Sequence, residues 1–169
     1  DHSLASLRAL DAGNGQRIPL LEEVLDHLRG RVRINVELKS FNGTAALTAG
    51  LLLAQIGKGT WQTDDFLVSS FHLPELARFH SLAPRIPIAT LHVGPPLGLC
   101  AEARALEACA VHLAQDFVDA RMIADARRSG LRVNAYTVNH ADEAARLQAM
   151  GVDGIFTDHP ERFIGGHID

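Results

Sequence analysis

Six short runs rich in β-branched residues alternate along the chain with segments of helical pattern, and this alternation limits the possible folds more than any other feature. It is typical of βα units arranged around a parallel sheet. The predicted strands are Val32–Leu38, Phe66–Ser70, Ile86–Leu91, Cys109–Leu113, Leu131–Val138 and Gly154–Thr157. A strand-then-helix repeat of this kind folds either into an open doubly wound sheet or into a closed (β/α)₈ barrel.

Capping residues, glycines and prolines mark where the helices between these strands begin and end. Thr44 is predicted to cap one helix that Gly57 stops, and Asn139 is predicted to cap another that Gly151 stops. The predicted helices are Leu20–Leu28, Ala45–Ile56, Asp119–Ser129 and Asp142–Met150, with a further helix between Pro74 and Pro84. The residues from 94 to 98 are predicted to form a loop, because they are glycine- and proline-rich.

The segment after the first predicted strand and the length of the chain both bear on the choice of fold. A dinucleotide-binding sheet carries a Gly-x-Gly-x-x-Gly motif there, whereas residues 39–44 of this chain read KSFNGT. A complete barrel needs about 250 residues and eight strands, so this chain is about two βα units short of one. No linker divides the chain, and we expect residues 1–169 to form a single partial barrel domain.

Composition and charge exclude several classes of protein. With 47% hydrophobic residues, 21% charged residues and a net charge of −4, the chain is typical of a soluble globular domain. Its basic residues are dispersed, which predicts no nucleic-acid partner, and its apolar runs fall far short of the ~20 residues that span a bilayer. Cys100 and Cys109 lack metal-site spacing and are expected to be reduced thiols of a cytoplasmic protein.

The first predicted strand has one apolar face and one polar face. Its even-numbered residues from 32 to 38 are apolar, whereas Asn35, Glu37 and Lys39 face the other way. In a barrel, the polar face points into the lumen and places Glu37 and Lys39 at the C-terminal rim, where such enzymes carry out chemistry. The pattern is also typical of an edge strand with a solvated face and an incidental ion pair, and the pattern alone leaves both possibilities open.

Four segments carry motifs that are specific when taken together in their order and spacing. They are NVELK at 35–39, LVSSF at 67–71, AYTVN at 135–139 and GVDGIFTD at 151–158. Together with residues 7–13 and 18–25, they resemble the glycerophosphodiester phosphodiesterase family over essentially the whole chain. The resemblance implies an α/β fold of the TIM-type (β/α)₈ barrel class, incomplete here, with about six of the eight βα units and the first two missing.

The resemblance also implies an activity and a cofactor. It implies a metal-dependent phosphoric diester hydrolase that cleaves glycerophosphodiesters to an alcohol and glycerol 3-phosphate. In the family three carboxylates hold a divalent cation, and Glu37 matches one of them. Mg²⁺ or Ca²⁺ suits such an all-oxygen ligand set. Lys39 matches a lysine that faces the phosphate.

The chain departs from the family where the acid and base histidines and the other two metal carboxylates are expected. It contains no His-Arg-Gly, Glu-Asn-Thr, Glu-x-Asp or His-Asp motif, all of which would precede Asp1. None of its nine histidines has the matching context, and His2, which precedes Ser3, is not expected to be catalytic. Losing an acid or base residue costs on the order of 10²–10⁴-fold in rate, so we expect this chain alone to be essentially inactive.

Four further residues are candidates for contact with the substrate. Ser70 and Phe71 end the second predicted strand at the rim, and His112 ends the fourth. Tyr136 stands where many relatives have Trp, and it is expected to form an aromatic wall beside the glycerol or alcohol moiety. Core packing of Phe71 and a satisfied buried histidine at 112 fit the pattern equally well. Thr157-Asp158 ends the last strand at the same rim.

Two other interpretations stay open for the sequence. The chain could be a non-catalytic protein that keeps a phosphate- or glycerol-sized pocket as a binding or scaffold module. It could also be an unrelated barrel or open-sheet enzyme that uses Glu37 and Lys39 differently. We expect a small-molecule glycerophosphodiester as the ligand and no membrane partner. Six strands of an eight-stranded barrel leave two open edges, so we also expect self-association across the gap.

Overall fold

The computed structural model describes residues 2–95 and 97–164, and its centre is a sheet of six parallel strands. In both chain order and spatial order, the strands are β1 Ile34–Glu37, β2 Phe66–Ser70, β3 Ile88–His92, β4 Ala110–Ala114, β5 Arg132–Tyr136 and β6 Gly154–Ile155. A doubly wound sheet would reverse its strand order at a switch point. Residues from the β1 side to the β6 side line one common cleft, which requires the sheet to curl. The structure therefore confirms an incomplete TIM-type barrel.

Helices alternate with the strands. They are α1 Leu4–Arg8, α2 Leu21–Leu28, α3 Thr44–Gly57, α4 Leu73–Leu82, α5 Leu99–Ala105, α6 Ala120–Arg128 and α7 Ala141–Met150, with 3₁₀ turns at Thr63–Asp65, Gln115–Phe117 and Pro160–Arg162. The sequence pattern predicts five of the helices but neither α1 nor α5, because helices this short depend on packing more than on propensity. Within residues 2–95 and 97–164, no helix has the length and apolar character needed to cross a membrane.

Two of the predicted helix caps are wrong. The α3 helix begins at Thr44 itself, behind Gly43, which adopts a left-handed φ of 82° and has no side chain that could cap the helix. The α7 helix follows His140 instead of Asn139, whose side chain bonds elsewhere. Gly151 ends α7 as predicted, because its φ of 95° lies in the left-handed region that glycine tolerates.

Alternation along the strands divides the sheet into an outer face, which packs on the helices, and an inner face. Buried apolar side chains from strands and helices form the outer core: Val68, Ile88, Val111, Val133, Leu52, Phe79, Ile123 and Leu147. Burying one such side chain contributes about 1.5–3 kcal/mol, so this layer supplies much of the stability that holds the strands in register. The inner face carries mostly polar, small and aromatic residues, with Leu91 among them.

The inner face has a layer of small side chains at its middle. Strand register places Glu37 beside Ser69, Ser69 beside Ala89, and Ala89 beside Ala110. Of these, Ser69, Ala89 and Ala110 are completely buried. His112 follows Ala110 on the same face, one pleat closer to the C-terminal ends of the strands. The larger side chains therefore collect at the C-terminal end of the sheet, above the small layer.

The two outer strands of the sheet are β1 and β6. In the part of the chain that the structure describes, each pairs with a single neighbour, β1 with β2 and β6 with β5. Their other backbone edges carry N–H and C=O groups without a strand partner there. Glu37 thus lies on an edge strand, whereas His112 lies on a strand that is paired on both sides.

Candidate active site

A cleft of about 290 Å³ opens at the C-terminal ends of the strands. It is lined by Asn35, Glu37, Lys39, Phe71, Leu91, His112, Tyr136, Thr137 and Phe156. Barrels of this class carry their chemistry at this end. Five of the six residues that the sequence singles out as a site come together here, although they are separated by up to about a hundred positions in the chain. Ser70 and His2 do not line the cleft.

Glu37 and Lys39 form one side of the cleft, which we call the charged wall. Both project from the same face of β1 and its extension because they are two residues apart. The Lys39 Nζ lies 3.5 Å from the Glu37 Oε2, and the side chains are 77% and 28% exposed. An exposed pair of this kind contributes little to stability. Both groups are therefore available to a ligand.

A divalent cation fits the charged wall only in part. The Glu37 carboxylate has the oxygen donors that Mg²⁺ and Ca²⁺ prefer. Among the described residues, however, no three His, Cys, Asp or Glu side chains come together in a group that could hold a metal ion. The ammonium of Lys39 also lies within 3.5 Å of the only candidate carboxylate that lines the cleft. The described residues thus supply one carboxylate with suitable donor atoms and do not form a complete cation site.

Four rings, those of Phe71, His112, Tyr136 and Phe156, form the opposite side of the cleft, which we call the aromatic wall. The rings of Phe71 and Tyr136 meet edge to face, with centroids 5.9 Å apart and an interplanar angle of 88°. The Tyr136 hydroxyl donates a hydrogen bond of 2.8 Å to the carbonyl of His92. Tyr136 belongs to β5 and His92 to β3, so the tyrosine side chain spans β4.

The charged wall and the aromatic wall are electrostatically linked through Tyr136. Burial raises the pKa of the Tyr136 hydroxyl, and the negative charge of Glu37 raises this pKa further. The hydroxyl is therefore neutral near pH 7 and acts as a hydrogen-bond donor to the backbone. Glu37 of β1 and Tyr136 of β5 thus lie close enough in the cleft for the charge of one to affect the other.

His112 is the most deeply buried member of the aromatic wall. Its side chain is completely buried, and its ring packs against that of Phe156 with centroids 4.8 Å apart. Burial lowers the pKa of His112 to about 4, and the positive charge of Arg132 contributes in the same direction. Neither ring nitrogen has a hydrogen-bond partner among the described residues. Near pH 7 the ring is therefore a neutral imidazole and a poor match for a general base.

Ser70 is buried on the outer face of the sheet and does not line the cleft. Its hydroxyl donates a hydrogen bond of 2.7 Å to the carbonyl of Leu38 and accepts one of 2.9 Å from the backbone N–H of His72. The side chain is completely buried and shares the outer face with Val68. Contact between Ser70 and the substrate stays a prediction, and the geometry shows instead a clip between β1 and the loop after β2.

Asn139 holds the ends of β5 and β6 together instead of capping α7. Its Oδ1 accepts hydrogen bonds from the Thr157 hydroxyl at 3.0 Å and the Asp158 N–H at 2.9 Å. Its Nδ2 donates one of 2.9 Å to the Asp158 carboxylate. Thr157-Asp158 is thereby fixed at the C-terminal end of the sheet. A partner eighteen residues away leaves no local signal in the sequence.

Sequence reasoning missed several residues that line the cleft, among them Leu91, Thr137 and Phe156. Alternation could have found Phe156, because it lies two residues after Gly154 on the inner face. Close packing explains the glycine at position 154, since a Cβ there would lie 2.8 Å from the Asn134 Oδ1. A side chain there would collide with the inner-face asparagine on the neighbouring strand.

A larger groove of about 690 Å³ lies between α5 and α6, outside the sheet. Both of its carboxylates already have structural partners. Asp125 pairs with Arg128, and the Asp119 carboxylate accepts the Met122 N–H at the start of α6. The smaller cleft at the strand ends is therefore the better candidate site, because there the charged groups face an open space.

Comparison with known proteins assigns the chain to a family. The model of the Glycerophosphoryl diester phosphodiesterase family matches residues 1–162. YhdW of Bacillus subtilis, a candidate glycerophosphodiester phosphodiesterase, is 34% identical over 97% of this chain and 71% of its own length. A glycerophosphodiester phosphodiesterase of the same organism is 28% identical over 96% of this chain and 64% of its own length. The chain thus spans roughly two thirds of such relatives.

A solved structure supports the same assignment. A phosphodiesterase from Oleispira antarctica, determined in complex with the product sn-glycerol-3-phosphate, superposes with a TM-score of 0.81 and 28% sequence identity. The match covers 95% of this chain and 68% of that one. Fold, motif order and sequence similarity agree over the same residues. The chain belongs to the glycerophosphoryl diester phosphodiesterase family.

Proposed function

We propose that the cleft binds the phosphate and glycerol of a glycerophosphodiester and contributes to its hydrolysis to an alcohol and glycerol 3-phosphate. The observation that carries this proposal is the placement of Glu37 and Lys39 side by side at the C-terminal rim, facing the aromatic wall. The product complex of the Oleispira antarctica relative supports a ligand of this class. A phosphate ester has an anionic part and a carbon-rich part, which match the two walls.

The charged wall is proposed to take the anionic part. The Lys39 ammonium is largely exposed on a flexible stem and can reach a phosphate oxygen as a point charge. Glu37 would supply one oxygen ligand to a Mg²⁺ or Ca²⁺ ion, and the bound cation would act as a Lewis acid on the phosphoryl oxygens. Glu37 also holds Lys39 at the rim through its charge, which keeps the ammonium beside the site of phosphate binding.

The aromatic wall is proposed to take the organic part. Phe71 is 47% exposed and forms a surface against which carbon atoms of the glycerol or alcohol can pack. Tyr136 is held by its bond to the His92 carbonyl, so its ring stays in place when a ligand enters. The neutral His112 ring lies beneath and is proposed to form the floor on which this part rests.

Hydrolysis also needs a general acid and a general base, and the described residues do not supply this pair. His112 is the one histidine that lines the cleft, and burial with its lowered pKa keeps it neutral. We therefore propose that residues 2–95 and 97–164 hold the binding half of the site. By itself this chain is expected to show little or no hydrolysis, since each lost acid or base group costs on the order of 10²–10⁴-fold.

The decisive experiment compares this chain with a version extended upstream along its gene. Hydrolysis of glycerophosphocholine is measured for both, with Mg²⁺, with Ca²⁺ and with a chelator. We expect activity only in the extended chain and only with a divalent ion, and we expect Glu37→Gln to abolish it while Asp26→Asn on exposed α2 does not. Metal-dependent hydrolysis by the 169-residue chain that Glu37→Ala abolishes would refute the proposed division of the site.

A binding or scaffold role is the second candidate, and the lack of an acid and base pair in the described residues favours it. The same experiment separates the two functions. An extended chain that binds sn-glycerol 3-phosphate but hydrolyses no glycerophosphodiester, with any divalent ion, would support the binding role and contradict the enzymatic one.

A further inference from the structure

Lys39 itself is largely exposed, but the backbone on both sides of it is held by hydrogen bonds, one buried and one half-buried. On its N-terminal side, the carbonyl of Leu38 accepts the Ser70 hydroxyl at 2.7 Å. On its C-terminal side, the carbonyl of Ser40 accepts the Thr44 hydroxyl at 3.1 Å. Since β1 is an edge strand, this turn has no further strand beside it in the described residues to hold it in place.

Ser70 fixes the first of these positions from the neighbouring strand. Its side chain has no exposed area, and its oxygen both donates to Leu38 and accepts from His72. A hydroxyl that is buried and bonded on both sides has one orientation available. The end of β1 is therefore tied to the end of β2 at the residue immediately before Lys39.

Glu75 fixes the second position from α4. The start of α3 has unpaired backbone N–H groups, and Gly43 has no side chain to accept them. The Glu75 carboxylate, which is 5% exposed, accepts the Ala45 N–H at 2.8 Å, with the Thr44 hydroxyl at 3.4 Å. The carboxylate thus caps a helix in another part of the chain, where the positive end of the helix dipole favours its charge.

His72 links the contacts of Ser70 to those of Glu75. Its backbone N–H bonds Ser70, and its Nδ1 accepts the backbone N–H of Glu75 at 3.2 Å. Its ring also packs against Phe41 in the turn after Lys39, with centroids 4.4 Å apart. Ser70, His72 and Glu75 therefore form one continuous set of contacts from β2 to α4 that supports the whole turn from residue 38 to residue 45.

We infer that Ser70 and Glu75 are positioning residues that hold Lys39 in place for the phosphate of the substrate. Neither residue lines the cleft. Ser70 acts through the carbonyl of Leu38, and Glu75 acts through the start of α3, where the Thr44 hydroxyl bonds the carbonyl of Ser40. The inference rests on the proposed function, since it assigns these buried residues to the phosphate-binding step of that site. Removing either contact frees the turn, so the ammonium spends less time where a phosphate binds.

The test uses the fact that Lys39 and Lys58 are the only lysines in the chain. Reductive methylation with ¹³C-formaldehyde gives each a resolved dimethyl-ammonium signal in the NMR spectrum and keeps its positive charge. Lys39→Arg assigns the signals. We expect sn-glycerol 3-phosphate to shift the Lys39 signal and not that of Lys58, which lies at the far end of α3 and serves as an internal control.

Four variants then test the positioning role. We expect Ser70→Ala and Glu75→Ala to weaken the sn-glycerol 3-phosphate affinity read from Lys39 about tenfold. Glu75→Gln keeps an acceptor oxygen for the Ala45 N–H and is expected to bind nearly as the wild type does. Thr90→Val is the matched control, because Thr90 pairs with Ser70 in register and its buried hydroxyl has no partner in the described residues.

The outcomes separate the inference from the proposed function. If the Ser70→Ala and Glu75→Ala chains fold and bind sn-glycerol 3-phosphate as the wild type does, the inference is overturned. The proposed function is not affected by that result. Should either variant fail to fold, Thr44→Val, at a half-buried position, is expected to weaken binding in the same direction, and unchanged affinity there would overturn the inference.

If sn-glycerol 3-phosphate leaves the wild-type Lys39 signal unmoved, the proposed function fails instead. The positioning contacts are then judged in the ligand-free chain. Faster amide exchange at Ala45 and an altered Lys39 line width in Glu75→Ala would support them, and no change in either would overturn them.

Discussion

The charged wall and the aromatic wall of the cleft are built in opposite ways. Glu37 and Lys39 lie on an edge strand, their side chains are partly or largely exposed, and their turn is held from outside by residues of β2 and α4. His112 and Tyr136 lie on strands that are paired on both sides, and His112 is completely buried. Position in the sheet thus decides whether a side chain is exposed to a ligand or buried.

This difference explains how one half-open barrel can provide both a charged wall and an aromatic wall. Exposure at the edge leaves Glu37 and Lys39 within reach of a ligand. Burial in the middle keeps His112 neutral and gives Tyr136 a fixed partner in the His92 carbonyl. Four experiments test the differences between the two walls.

The largest effect is expected on catalysis by the chain extended upstream. Lys39→Met removes a charge aimed at the phosphate and should lower kcat/KM for glycerophosphocholine about 10²–10³-fold. Phe71→Leu keeps an apolar surface and should mainly raise KM, by less than about tenfold. Steady-state kinetics of both variants measures the contrast, and equal losses in the two would contradict a division of labour between the walls.

A large effect is also expected on stability at low pH, and the buried His112 of the aromatic wall should be a main source of it. The folded chain holds His112 at a pKa of about 4, so between pH 6.5 and 4 the unfolded chain binds the extra proton first. Stability should therefore fall as the pH decreases through this window, by about 3 kcal/mol in total from His112.

Urea unfolding of the wild type and of His112→Leu at pH 7.5, 6 and 5 measures this contribution. The variant should lose that part of the pH dependence, and it should be about 1–3 kcal/mol more stable at pH 7.5 because two unpaired nitrogens are gone. His27→Gln, at an exposed position on α2, is the control. The same pH dependence in wild type and His112→Leu would show that the buried ring is not the cause.

A moderate effect is expected on the mass of the chain in solution. The free edges of β1 and β6 are the most accessible pairing surfaces in the described residues, so the apparent mass should approximately double with rising concentration. Light scattering over a range of concentrations measures it. Asn35→Pro would remove a donor from the free edge of β1 and should reduce the association, because N–H groups alternate along a strand and that of Leu38 bonds Ser69 of β2. A monodisperse monomer at all concentrations would count against an open edge as an interface.

The smallest effect concerns the electrostatic link between the walls. Tyr136 is the only tyrosine of the chain, so its ionisation can be followed alone by ultraviolet absorbance. Its pKa should lie above the ordinary value, mainly through burial, and Glu37→Gln should lower it because the negative charge of Glu37 contributes. An unchanged titration in Glu37→Gln would mean that the two walls do not interact through this pair.

Much of the fold could be predicted from local pattern. The six strands follow from β-branched runs, and β2 has the predicted bounds at both ends. The alternation that places Glu37 and Lys39 on one face is equally local, because it depends only on the two-residue period of a strand. The same period could have shown that Ser70 and Phe71 face opposite sides, so that only Phe71 reaches the cleft.

The remaining features depend on partners far away in the chain. The Asn139 side chain bonds residues eighteen and nineteen positions later, and Glu75 caps a helix that starts some thirty positions earlier. A short polar residue near a helix start predicts a cap from local statistics, and a stronger distant partner overrides that preference. The burial of His112 likewise depends on the packing of Phe156 against it.

Local periodicity predicts the parallel βα architecture and the face on which Glu37 and Lys39 lie. The order of the motifs indicates the family of the chain. The sequence alone is therefore sufficient for these three features. Three other features depend on tertiary contacts. Ser70 and Glu75 anchor the turn after β1. Tyr136 reaches across to β3, and burial keeps His112 neutral. These outcomes depend on which side chains meet once the sheet curls, and contact and desolvation over such separations leave no periodic trace in the chain.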